Sequence, residues 1–330
     1  MTDLTIRYLG LTLKNPLIAA SSGHTSTVHY VKELEQNGVG AVVLKSIFEE
    51  EILNEFNEHT NSDDEFQSNI EFLDYFDYQL KADSVNKYVD LIKEVKESVF
   101  IPVIASINCI SAHEWTDFAK KIEEAGADAL ELNIFLMPSD SKKTGQEIEE
   151  TYFNIIKKVL NTVKIPVAVK MSHYFSNLGN MIQRLSETGI AGLVLFNRSY
   201  SPDIDLNKME IVSSNVFSRP EDYTLPLRWT AITSDYVKCS LAASTGIHDA
   251  QAMIKLLLAG ASAVQVASTV YINGVQQVNK MLTELEQWMS QNNYVNINQF
   301  KGKLSQKNLK NPAEFERVQF MKHFSDRVVD

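Results

Sequence analysis

Two lysines close apolar runs in this chain, Val42-Val43-Leu44-Lys45-Ser46 and Val167-Ala168-Val169-Lys170-Met171-Ser172. A strand buried on both faces has little use for a charged end unless an anionic or electron-rich group waits there. One such lysine reads equally well as a side chain reaching solvent; two in matching positions point to a ligand. Two asparagines repeat the arrangement, in Glu131-Leu132-Asn133-Ile134 and Leu195-Phe196-Asn197-Arg198. An amide at a strand end offers both a donor and an acceptor, although each alone also reads as a loop cap. The runs Ala242-Ala243-Ser244-Thr245-Gly246-Ile247 and Gln265-Val266-Ala267-Ser268-Thr269 put small residues where a strand gives way to a helix. There the backbone N–H groups can approach a phosphate closely.

The elements that must position these residues announce themselves through a repeat. It occurs at Leu34–Gly38–Val42, Ile122–Gly126–Leu130, Leu185–Gly189–Leu193 and Leu256–Gly260–Val264: an apolar residue, a glycine four positions on, then small residues entering an apolar stretch. Each copy predicts a helix end, a left-handed glycine and the start of a buried strand. Seven residues beyond Gly38 and Gly126 stand Lys45 and Asn133, and eight beyond Gly189 and Gly260 stand Asn197 and Ser268. Eight strands are expected, over 16–20, 39–44, 101–107, 128–134, 166–171, 190–196, 239–244 and 263–267. Helices are expected over 26–37, 83–98, 112–125, 146–162, 177–188, about 228–237, 248–259 and 270–290. That count predicts an α/β fold of the TIM (β/α)8 barrel type. A doubly wound open sheet is the rival, but Ser21-Ser22-Gly23-His24 lacks its glycine-rich turn. We expect one domain over 1–330, with an N-terminal hairpin at 4–14 and a helical tail at 291–330. Segments 46–82 and 198–228 are read as insertions on the catalytic face, where long excursions often serve as lids or substrate loops.

Composition narrows the classes of partner. The 330 residues are 44% hydrophobic and 22% charged, with a net charge of −11 and no long basic run, which argues against nucleic acid or an anionic membrane. The two cysteines, Cys109 and Cys239, form no CxxC pair and have no histidine cluster nearby, so neither a disulfide framework nor a metal site is expected. The N-terminus has no signal-peptide pattern and no run approaches membrane-spanning length. A cytoplasmic protein with reduced thiols is the expectation.

Taken together the motifs resemble those of dihydroorotate dehydrogenases, most closely the soluble first class. The resemblance runs over about residues 4 to 304. It is carried by Asn15-Pro16, Ser22-Gly23, Leu44-Lys45-Ser46, Phe76-Asp77-Tyr78, Glu131-Leu132-Asn133, Val169-Lys170, Phe196-Asn197, Thr245-Gly246-Ile247, Gln265-Val266 and Phe300–Leu304. It implies an FMN cofactor, a small-molecule substrate and a homodimer. It further implies that Ser22, Lys45, Ser46, Asn133, Lys170 and Phe196 line the flavin ring and ribityl chain. Thr245, Gly246, Ala267 and Ser268 would hold its phosphate. Asn133, Asn197, Asn69 and Arg198 would meet the substrate, and Lys45 joins the catalytic set.

The chain departs from that family at four places. The family's base, a cysteine or serine, stands just before a proline, whereas here Leu136 and Met137 precede Pro138 and Ser139 follows it. The substrate loop reads Gln67-Ser68-Asn69-Ile70-Glu71-Phe72-Leu73, Leu225-Pro226-Leu227-Arg228-Trp229 replaces a glycine-rich segment, and Arg198 replaces a serine. Dihydroorotate oxidation needs a base at carbon while the flavin takes a hydride. His173 is the first candidate substitute, followed by His24, Cys109 and Tyr174. The expected function is an FMN-dependent oxidoreductase resembling dihydroorotate dehydrogenase, an enzyme of pyrimidine biosynthesis, with weak or absent activity on dihydroorotate itself. The alternatives are a flavin oxidoreductase on another small carboxylate or heterocycle, with Arg198 and Arg228 as anion anchors, and a non-catalytic flavin-binding subunit. An aldolase-type barrel with Lys170 as a Schiff base is a further alternative.

Overall fold

The computed structural model describes residues 2–48, 70–108, 114–198, 201–214 and 216–316. A short hairpin comes first, β1 (Ile6–Tyr8) paired with β2 (Leu11–Leu13). Leu9 and Gly10 both take positive φ at its turn, the backbone that a two-residue hairpin favours. Tyr8 and Leu9 are fully buried and close the lower end of a barrel.

The barrel strands are β3 (Leu17–Ala19), β4 (Ala41–Val43), β6 (Val103–Asn108), β7 (Ala129–Ile134), β8 (Val167–Met171), β9 (Gly192–Leu195), β12 (Ser240–Ser244) and β13 (Ala263–Val266). They pair in parallel in that order, and β13 closes back on β3 through Val264 opposite Leu17. A two-residue strand, β5 (Ile47–Phe48), lengthens the ladder of β6 at its upper end. Nearly every barrel-strand residue is buried, as a sheet covered by helices outside and side chains inside requires. The fold is the expected TIM (β/α)8 barrel, and the strand boundaries fall within about two residues of those read from the apolar runs.

The repeat glycines Gly38, Gly126, Gly189 and Gly260 take φ of 104, 91, 98 and 117°. In three copies the residue after glycine donates its N–H to the repeat's leading residue: Val39 to Leu34, Ala127 to Ile122 and Ala261 to Leu256. That six-residue closure ends a helix and aims the chain into the next strand. Acidic side chains then clamp the lower rim. Glu35 accepts from the N–H groups of Phe100 and Ile101, Glu123 from those of Lys164 and Ile165, and Asp128 from Val103 and from Lys96 Nζ.

Three helices differ from expectation. The one expected over 83–98 runs Ile70–Ser98; no proline or glycine interrupts that stretch. The one expected at about 228–237 runs Thr224–Thr233, with Pro226 in its first turn, where a missing N–H costs nothing. The one expected over 270–290 is two helices, Ser268–Asn273 and Gln276–Gln291, parted at Gly274 with φ of 78°. Within 198–228 the chain also forms a ribbon, β10 (Ser201–Asp205) with β11 (Glu210–Ser214).

The hairpin plug depends on Gly192, where an added Cβ would lie 2.4 Å from Leu9 Cδ2 and 3.3 Å from the Ser240 carbonyl. Gly192→Ala is expected to lower stability by about 1–3 kcal/mol through overpacking, read as a fall in the thermal unfolding midpoint. An unchanged midpoint would contradict this packing.

Candidate active site at the upper barrel mouth

Alternation along β7 points Glu131 and Asn133 to the same face, into the barrel. Lys170 enters from β8, Gln265 from β13, and Asn197 from the residues after β9. Lys170 is only 7% exposed, and Glu131 and Gln265 are each 1% exposed. Lys170 Nζ donates to Gln265 Oε1 at 3.0 Å, Gln265 Nε2 donates to Glu131 Oε2 at 2.5 Å, and Glu131 Oε1 lies 3.8 Å from Lys170 Nζ. A layer above, Asn197 Nδ2 donates to Asn133 Oδ1 at 2.8 Å. On the opposite side three hydroxyls form a chain: Ser21 to Ser46 at 3.0 Å and Ser46 to Ser106 at 2.7 Å.

A cavity of about 190 Å³ opens over this floor. Its walls include Ser21, Lys170, Asn197, Gly246, Gln265 and Ser268. Thr245 and Gly246 both have positive φ, 84 and 76°. Gly246 admits no side chain, because a Cβ would meet the backbone of Asp222 and Tyr223. Among the described residues no acceptor faces the N–H groups of Gly246 and Ile247. Beside them Ser268 Oγ accepts from the Ser218 N–H at 3.0 Å, and Ser218 Oγ pairs with His248 Nε2 at 3.0 Å. Two unengaged donors beside a serine hydroxyl suit an anion such as phosphate. A larger cavity of about 490 Å³ adjoins, sharing Asn197, Arg198, Ser244 and Thr245 and adding His173, Tyr174 and Phe196.

The expected site residues distribute as follows. Lys170, Asn197, Thr245, Gly246, Ala267 and Ser268 line the smaller cavity. Asn133 joins them through Asn197, and Phe196 faces the larger space. Arg198 lines both cavities, with Nη1 donating to the Val216 carbonyl at 2.5 Å and Nε 4.0 Å from Asp222. Ser21, not Ser22, reaches the cavity; Ser22 caps the turn Gly23–Thr25. Lys45 is exposed and lines a separate pocket with Ser46. Arg228 is exposed on its helix and lines neither cavity. Asn69 and Cys109 lie outside the described residues.

His173 packs its ring 4.5 Å from Tyr174 and 5.8 Å from Phe196. Its partial burial holds its pKa below the usual 6.5, which keeps the imidazole neutral and able to accept a proton near pH 7. His24 sits 4.3 Å from the Tyr271 ring, away from either cavity's lining. Between Glu131 and Asp140 the chain carries no ionisable side chain, and Met137 and Ser139 are exposed. Sequence reasoning assigned no role to Glu131 or Gln265. The available signal was the two-residue spacing of Glu131 from Asn133 on a buried strand. Among the described residues no cluster of histidine, cysteine or carboxylate could hold a metal ion, and no helix is long and apolar enough to cross a membrane.

A family model described as dihydroorotate dehydrogenase matches residues 3–289. The catalytic subunit of dihydroorotate dehydrogenase B (NAD(+)) of Thermoplasma volcanium is 27% identical over 316 residues, covering 92% of this chain and 98% of that protein. Its counterpart in Methanocaldococcus jannaschii is 26% identical over 294 residues, covering 86% and 92%. A putative dihydroorotate dehydrogenase A (fumarate) of Aeropyrum pernix is 28% identical over 183 residues, covering 54% and 59%.

The environment of His173 has a measurable consequence. A folded pKa below the unfolded one means that folding stability falls as the pH drops through the unfolded value and levels off below the folded value. An NMR titration is expected to place the His173 midpoint below 6.5. A midpoint at or above 6.5 would contradict the environment described.

Proposed function

The chain belongs to the dihydroorotate dehydrogenase family, and on that premise we propose that it is an FMN-dependent oxidoreductase acting on a CH–CH bond of a small anionic substrate, with dihydroorotate a poor one. Lys170 carries this reading: a buried ammonium at the floor of a cavity walled by amides and open N–H groups, in a chain with no ionisable side chain over Leu132–Ser139. The residues fit FMN. The Gly246 and Ile247 N–H groups and the Ser268 hydroxyl would hold its phosphate, while Ser21, Lys170 and Asn197 would meet its polar edges. When bound, FMN supplies the hydride acceptor. Lys170 would set an ammonium beside the part of the ring that becomes electron-rich on reduction. Asn133 and Asn197, already paired to each other, are oriented to hydrogen-bond the substrate. Arg198 supplies a guanidinium for its carboxylate. His173, neutral in the adjoining cavity, takes the role of the proton acceptor.

A homodimer belongs to the same proposal. On the ribbon β10–β11, Ile204 lies opposite Ile211, and these two with Leu206 and Met209 are between 62% and 83% exposed. Such a concentration of apolar side chains on a two-stranded ribbon marks an interaction surface. Cytoplasmic location is proposed with it.

Two measurements test these readings. Anaerobic steady-state assays are expected to give dihydroorotate turnover well below about 1 per second, with Met137→Cys, which puts a thiol before Pro138, raising it by roughly 10²-fold. Wild-type turnover at or above that rate, with no gain in the variant, would overturn the missing base. Light scattering after size exclusion is expected to give a dimer that Ile204→Lys with Ile211→Lys converts to monomer. A wild-type monomer would contradict the assignment of the ribbon.

A further inference from the structure

We propose that Glu131, acting through Gln265, is a positioning residue that fixes Lys170 beneath the cofactor and sets how strongly its ammonium favours the reduced flavin. The inference rests on the FMN reading above and concerns a carboxylate that touches neither cofactor nor substrate.

The hydrogen bonds allow one arrangement of the Gln265 amide. Its Nε2 must face the Glu131 carboxylate and its Oε1 the Lys170 ammonium, at 2.5 and 3.0 Å; the reversed amide would set donor against donor and acceptor against acceptor. Glu131 therefore orients Gln265, and Gln265 anchors the ammonium. The second carboxylate oxygen, Glu131 Oε1, is buried with no hydrogen-bond partner and stands 3.8 Å from Lys170 Nζ. That distance is too long for a hydrogen bond but short for a Coulomb interaction in a site this dry. Gln265 takes one of the three ammonium hydrogens, and the others remain for the cavity side. The carboxylate thus holds the ammonium in place while cancelling part of its field at the ring. Two buried phenols also feel Glu131. Tyr8 from the hairpin plug and Tyr88 both have raised pKa, chiefly through burial and then in part through the Glu131 charge, so both stay neutral and add no competing charge.

The test uses the FMN-loaded protein, with sulfite as the probe, because sulfite adds to an oxidised flavin more tightly as the surroundings become more favourable to negative charge. Glu131→Gln keeps the shape and removes the charge. It is expected to tighten sulfite binding about tenfold. Glu131→Met should shift affinity in the same direction, which covers the case in which one variant fails to fold. In a Lys170→Met background the effect of residue 131 should fall below about twofold, since a buried carboxylate with no cation beside it neutralises instead of carrying charge. A purely structural role for Glu131 would lower stability and leave sulfite affinity unmoved. Sulfite affinity that ignores residue 131 in a yellow protein, or an equal shift without Lys170, would overturn this inference alone. A colourless protein that takes up no FMN would overturn the FMN reading itself.

Discussion

An ammonium group cannot be left inside a barrel without a partner, and in this protein that requirement organises the upper mouth. Lys170 is held on β8 with almost no exposure, between Gln265 reaching across the barrel from β13 and the Glu131 carboxylate on the adjacent strand β7. Breaking a buried pair by deleting one member typically costs about 3–5 kcal/mol, because the survivor keeps its desolvation penalty. Replacing both members of such a pair with well-packed apolar residues is often neutral. A cation maintained there is therefore better understood as serving the space above it than as holding the barrel together. The same logic covers Asn133 and Asn197, which satisfy each other by one hydrogen bond and retain donors and acceptors for a ligand.

The rest of the fold keeps that mouth in register. Helix ends close on left-handed glycines, and each launches a strand whose length sets which residue reaches the rim. Below, Glu35, Glu123 and Asp128 bind the backbone N–H groups that enter neighbouring strands, and the Tyr8–Leu9 turn fills the lower end against Gly192. The polar work is thus divided. Carboxylates at the lower rim satisfy the backbone, and the groups at the upper rim remain available for chemistry, the division typical of this barrel.

The eight barrel strands were legible in the sequence because each is a short apolar run bounded by turn residues, and the four helix ends because each carries its glycine. Lys170, Asn133 and Asn197 were legible for the same reason: a polar residue at the end of a buried run stands out. The ribbon β10–β11 was not, since Ser201–Asp205 and Glu210–Ser214 hold few apolar residues, show no strict alternation and lie in a long polar stretch. Ser21 and Ser22 cannot be told apart without knowing which one caps the following turn. The partnership of Glu131 with Gln265 spans 134 residues, and only the closure of the barrel brings them within reach. Family resemblance named the cofactor. Leu132–Ser139 carries no ionisable side chain, and the proposal that dihydroorotate is a poor substrate rests on that run.

The central claim is that the upper mouth holds FMN over Lys170. The most direct measurement is the visible absorbance spectrum of the purified protein, followed by titration of the stripped protein with FMN. The account requires flavin bands perturbed from those of free FMN and saturable rebinding in proportion to protein. A colourless preparation that leaves the spectrum of added FMN unchanged would contradict it.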